Sequence, residues 1–92
     1  MTTDLDRAWE ALRAAAPPGW YVGRPSFHDE RSVWEQHAFD ATAKGKTGKR
    51  GREWTAIGRT EAACVAEMAR CLAVIREGRW PRYAPIASPV VA

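Results

Sequence analysis

Cysteine is scarce in this chain of 92 residues, asparagine is absent, and no apolar run reaches membrane length. Each absence excludes something. Cys64 and Cys71 are seven residues apart on a predicted helix, about 10.5 Å along its axis at ~1.5 Å per residue. That is too far for a disulfide and too far to share one zinc, so they read as buried thiols acting as small hydrophobes. Two histidines and two distant cysteines give no closed ligand spacing, so no metal is expected. The amino-terminal MTTDLDRAW is acidic and lacks the apolar stretch of a secretory signal, and nothing approaches the ~20 apolar residues of a membrane span. A cytoplasmic location and no membrane partner are expected. No dinucleotide fingerprint or serine-nucleophile signature occurs, and no cofactor is expected. Gly45-Lys46-Thr47 resembles the end of a phosphate-binding loop, but that loop needs a glycine where this chain has Asp40 and needs a helix to follow.

What is present suits one modest core. Ninety-two residues make a single domain. Five tryptophans are several times the usual share, and each can bury roughly 150–250 Å², so most are expected in the core. Eleven arginines against three lysines suggest a GC-rich coding sequence, as in actinobacteria and their phages.

The longest helical pattern is Thr60 to Gly78. Ala62, Val65, Met68, Ala69, Leu72 and Ile75 recur at steps of three and four, leaving only Glu67, Arg70 and Glu77 as a polar sector. Thr60 suits the N-cap and Gly78 the C′ position. A second amphipathic helix covers Thr3 to Ala16, with Leu5, Ala8, Trp9 and Leu12 on one side and Thr3 with Asp6 as a capping box. Pro17, Pro18 and Gly19 end it.

Three strands lie between the helices. Trp20 to His28 is the first, and Pro25 confines its regular part to about Arg24 or to a sheet edge. Val33 to Asp40 is the second and Arg52 to Gly58 the third. The expected fold is α+β, an αβββα domain over residues 1–78 with a three-stranded antiparallel sheet and both helices packed on one face. Residues 79–92 form a proline-rich tail, which Trp80 and Tyr83 can pin to the body. The covered face is assigned to Trp20, Val22, Trp34, Ala38, Trp54 and Ala56, where two alanines let a helix approach. Tyr21, Glu35, His37, Phe39, Thr55 and Ile57 then occupy an open, half-apolar face. Tyr21, Phe39 and Ile57 mark it as a contact surface for a partner or for a second copy in a homodimer.

The charge of +3 is uneven. Residues 44–52, KGKTGKRGR, hold Lys44, Lys46, Lys49, Arg50 and Arg52 with no acid, which leaves the remainder at −2. A glycine-rich basic loop suits a phosphate backbone or another acidic surface, including a protein. With all five on duplex DNA, log affinity would fall with log salt at a slope of about −4.5. Glu35, His37 and Asp40 invite a catalytic reading. Glu35 and His37 are two apart on a strand and share a face, so His37 beside nearby arginines offers metal-free general acid–base chemistry. His28, beside Asp29 and Glu30, reads as turn chemistry.

In element order the chain resembles the double-stranded RNA-binding domain over residues 3–78, which implies nucleic-acid binding. The lysine-rich start of that family's last helix is replaced here by Thr60-Glu61-Ala62-Ala63-Cys64. The same order resembles toxin ribonucleases of the HicA kind, whose catalytic histidine lies on the second strand, where this chain has His37-Ala38-Phe39 without that family's Gly-Ser-His context. The run WTAIGRTEAACVAEMARCL is similar to small actinobacterial and phage proteins. Three functions follow as expectations: a non-enzymatic binding module using residues 44–52 on nucleic acid or an acidic surface, a small ribonuclease using His37, or a protein-interaction or inhibitor module.

Overall fold

The computed structural model describes residues 2–42 and 52–83. Helix α1 spans Asp4–Ala15, followed by strands β1 Trp20–Val22, β2 Ser26–His28, β3 Val33–Asp40 and β4 Glu53–Gly58, then helix α2 Glu61–Arg76. The architecture is α+β, with helix–strands–helix order and an antiparallel sheet. None of the described helices is long and apolar enough to cross a membrane.

The caps are where the sequence places them. Thr3 Oγ1 accepts the Asp6 amide at 3.0 Å, and the Thr3 amide donates back to Asp6 Oδ2 at 3.2 Å, a complete reciprocal cap. Those hydrogen bonds hold the Asp6 carboxyl below its ordinary value of 3.8. On α2, Thr60 Oγ1 accepts the Ala63 amide at 3.0 Å, and Gly78 follows the helix with φ +87°, which glycine adopts without strain.

The first strand is split. Both β1 and β2 pair with the same side of β3, Tyr21 opposite Phe39 and Ser26 opposite Glu35, while β4 pairs along the other side. Pro25 has no amide proton to give the ladder, so the chain leaves the edge between the two segments. The Gly23 amide still donates to the His37 carbonyl at 2.9 Å, and the carbonyl of Gly23 accepts from Gln36 Nε2 at 2.8 Å. One predicted strand is thus two short ones around a three-residue break.

Strand pairing puts Trp20, Val22, Trp34, Gln36, Ala38, Asp40, Trp54, Ala56 and Gly58 on one face. Ala38 and Ala56 are buried beneath the core cluster that Leu12 of α1 and Val65, Met68, Leu72 and Ile75 of α2 complete. Helix α2 lies on β4 and β3, and α1 packs chiefly on α2. Arg76 Nη1 donates to the Ala14 carbonyl at 2.7 Å and so satisfies one open end group of α1. At the other end α2 starts almost against β4: a methyl group on Gly58 would lie 2.7 Å from Cys64 Cα and 2.8 Å from the Ala63 carbonyl carbon.

The tryptophans correct the expectation drawn from their size. Only Trp54 is buried, at 5% exposure; Trp9 and Trp20 flank the core half-buried, Trp34 is half-buried, and Trp80 is 47% exposed. The tail does return to the body. Tyr83 stacks on Trp54 with ring centres 4.5 Å apart, Trp80 meets the same ring edge-on at 5.6 Å, and Arg70 Nη2 donates to the Arg82 carbonyl at 2.9 Å. Trp54 belongs to the helix-covered face, so residues 79–83 run on that side of the sheet.

Candidate functional site

The opposite sheet face carries Tyr21, Glu35, His37, Phe39, Thr55 and Ile57, since β3 and β4 residues in register share a face. Its apolar part is half-buried Ile57, opposite Glu35, and the pair Tyr21 and Phe39, ring centres 5.3 Å apart, with Tyr21 60% exposed. Phe39 is directly opposite Tyr21 on one flank and Glu53 on the other. The pair therefore sits one residue from the strand ends that residues 41–52 connect.

The polar part gathers around Glu35, whose side chain is only 16% exposed. Its Oε1 lies 2.8 Å from His37 Nε2, and its Oε2 lies 3.5 Å from Arg31 Nη1 and 3.7 Å from His28 Nε2. Thr55, directly across from His37 on β4, places its Oγ1 3.0 Å from His37 Nδ1. With the Nε2 proton aimed at the carboxylate, Nδ1 accepts the threonine hydroxyl, and carboxylate, imidazole and hydroxyl form one hydrogen-bonded chain. A base held by a third group beside a hydroxyl is the arrangement general-base chemistry uses. Here it lies on an exposed strand surface, and His37 is 63% exposed at its side chain.

The structure keeps Glu35 and His37 together and removes Asp40 from them. Asp40 is buried on the helix-covered face, where its Oδ1 accepts from the Thr42 hydroxyl at 2.6 Å and the Thr42 amide at 2.9 Å. It anchors the chain as β3 ends. His28, read as turn chemistry from sequence, joins the Glu35 cluster because β2 folds back along β3, and Arg31 joins it from the turn between them. Thr55 enters it through the β3–β4 register. Neither His28 nor Thr55 could be placed beside Glu35 without the strand pairing.

Of the five basic residues, Lys44, Lys46, Lys49 and Arg50 lie outside the described residues. Arg52 is described and is engaged within the fold. Its guanidinium sits 5.6 Å from the ring centres of both Trp20 and Trp80, with Nη2 3.8 Å from Asp40 Oδ2. Cys64 and Cys71 are free, buried thiols, each pushed up to about 11 first by burial and then by nearby carboxylates, so both are protonated at neutral pH. Among the described residues no group of histidine, cysteine and acidic side chains is arranged to hold a metal ion. Comparison of the chain with protein-family models, curated proteins and solved structures gives no match.

Proposed function

We propose that the chain is a non-enzymatic binding module for nucleic acid, using the basic residues Lys44, Lys46, Lys49 and Arg50 on phosphates and the open sheet face as a second contact. One observation carries this reading: the Tyr21–Phe39 pair stands on the sheet face opposite the two helices, at the strand ends where the basic segment is attached. Stacking on aromatic rings beside cations is how proteins hold nucleic-acid strands without reading every base. Residues 79–83 pack on the other side of the sheet, against Trp54, and leave the aromatic pair uncovered by that stretch. Arg52 serves the fold through Asp40, Trp20 and Trp80, so the phosphate role falls on Lys44, Lys46, Lys49 and Arg50.

Fluorescence anisotropy with labelled single and double strands at two or more salt concentrations tests this. Four phosphate contacts give a log–log salt slope of about −3.6 on duplex DNA. Changing the four residues to serine should move that slope towards zero and weaken binding at low salt. Absence of binding at low salt, or binding indifferent to the four substitutions, rejects the proposal. An acidic protein partner would instead show as retention on a polyglutamate column without oligonucleotide binding.

The Glu35–His37–Thr55 chain favours a second reading, metal-free RNA cleavage. The imidazole would take the proton of a 2′-hydroxyl as its oxygen attacks phosphorus; the bond from phosphorus to the 5′-oxygen breaks, leaving a 2′,3′-cyclic phosphate, and the departing 5′-oxygen takes a proton from water. It ranks second because both ring nitrogens are already engaged, so His37 must give up Thr55 to act. RNA cleavage by the purified chain, abolished in His37→Ala, would establish it; an intact substrate under conditions where the chain binds RNA removes it.

A further inference from the structure

Away from the open face, an open groove of about 640 Å³ is lined by Trp9, Arg13, Arg24, Pro25, Trp34 and Glu61. Four parts of the fold build it: α1, the break between β1 and β2, the start of β3 and the first residue of α2. Its volume is within the roughly 300–1,000 Å³ of small-ligand sites. The lining has three chemical parts. Two half-buried indoles and a proline ring supply flat apolar surface, two guanidiniums supply charge, and one carboxylate supplies an acceptor.

The indoles and the segment carrying Arg24 are held by the fold, and the two guanidiniums are not spent on it. Trp9 packs against the core, and Trp34 is met by the Phe27 ring at 5.5 Å, which fixes both while they still line the groove. Arg24 forms no ion pair or hydrogen bond among the described residues, and Arg13 is linked only to Asp6, by charge alone. Pro25 cannot join the ladder, and Gln36 holds the Gly23 carbonyl, so the break that carries Arg24 is fixed in place.

We propose that this groove is a binding site for a nucleoside monophosphate whose base carries an exocyclic amine. The ring lies against the indoles, the phosphate is shared by Arg13 and Arg24, and Glu61 accepts from the amine. A simple anion would use the arginines alone, and an acidic peptide would leave two indoles without a flat partner. A nucleotide uses all three parts, because guanidiniums fork onto phosphate oxygens and bases stack on aromatic faces. The site shares no residue with the basic segment, so it stands or falls apart from the function proposed above.

The test is a tryptophan-fluorescence titration of the full chain with adenosine monophosphate, inosine monophosphate, adenosine and inorganic phosphate, each also run on Trp34→Phe. Adenosine monophosphate should bind best. Inosine monophosphate, which lacks the amine, should be weaker by about tenfold, as for loss of one charge-assisted contact, and adenosine, which lacks the phosphate that both arginines hold, should show no binding. Arg13→Ser with Arg24→Ser should abolish binding with unchanged circular dichroism, and Glu61→Gln should erase the preference over inosine monophosphate. Serine at Lys44, Lys46, Lys49 and Arg50 should leave the titration unchanged, whatever it does to strand binding. No response to adenosine monophosphate at millimolar concentration overturns the proposal. So do an equal response to inorganic phosphate, tighter binding of an aspartate-rich peptide, or binding that survives loss of both arginines.

Discussion

Two glycines near the ends of α2 show that the same residue type can be held by opposite constraints. Gly58 has no Cβ because the first turn of α2 occupies that space; the atoms it would meet are backbone atoms of Ala63 and Cys64, which cannot swing aside. Gly78 has open space around it and is required only by its φ of +87°. Gly58→Ala should therefore destabilise by about 1–3 kcal/mol or more, as overpacking of a tight contact does. Gly78→Ala should cost only about 1 kcal/mol, the price of a left-handed alanine. Thermal melts decide between them, since 1 kcal/mol moves the midpoint by roughly 4–8 °C in a domain of this size. Equal losses at both sites would mean that the first turn of α2 can move away from β4 at little cost. The two thiols add a pH signature. Cys64 and Cys71 are raised from 9.0 to about 11, so the folded state holds their protons more tightly than the unfolded chain. Their contribution to stability is complete below pH 9 and is lost as pH rises through 11. Unfolding midpoints measured from pH 8 to 11 should fall more steeply for the wild-type chain than for Cys64→Ala with Cys71→Ala. In the native state at pH 7.5 both thiols should resist a thiol reagent that modifies them at once in denaturant.

At the scale of elements, the two helices are started by the same residue type and differ in what backs it. Thr3 is reinforced by the carboxylate of Asp6, whereas Thr60 has Ala63 at the matching position and only its own hydroxyl. Asp6 is held below its ordinary value by those bonds, so its contribution is present above about pH 4 and is lost as pH falls through the lower, folded value. Amide exchange should show the first turn of α1 losing protection on acidification while the first turn of α2 keeps it; equal loss in both would mean the Asp6 bond carries no weight. Thr60→Ala should cost about 0.5–2 kcal/mol at any pH. Caps, helix extents and the covered face were readable because each rests on local chemistry: a hydroxyl before an apolar stripe, a glycine after it, and strict alternation through Trp54, Ala56 and Gly58. The split of the first strand was half-readable, since Pro25 forbids a ladder bond but does not say that the chain resumes pairing at Ser26. The tryptophans misled because ring size predicts how much surface a residue can bury and says nothing of how much the fold covers. Asp40 was grouped with Glu35 and His37 by proximity in sequence, although its even position puts it on the other face. His28 and Thr55 reach the Glu35 cluster only through strand pairing, which no local signal fixes, whereas Arg31 reaches it from the turn four residues before.

For the molecule as a whole, the decisive feature is that the described structure is built on one side of the sheet. Both helices and residues 79–83 are there, and the far side keeps Tyr21 with Phe39 at one end and the Glu35 cluster at the other. This asymmetry separates stability from binding, and a truncation can test the separation. Removing residues 79–92 takes away the Tyr83 stack and the Trp80 edge contact and exposes Trp54, now 5% accessible. Aromatic pairs of this kind contribute about 0.5–1.5 kcal/mol each beyond their buried area, so the truncated chain should melt lower by roughly 5–15 °C. It also loses the Trp80 side of the Arg52 site, leaving Trp20 and Asp40 to hold that guanidinium. Oligonucleotide affinity at a temperature where both chains are folded should stay within about twofold, because residues 79–83 pack against Trp54 and the basic residues 44–50 are kept. A rise in affinity on truncation would show that the tail had been occupying the open face, and a fall would move the binding surface to the Trp54 side.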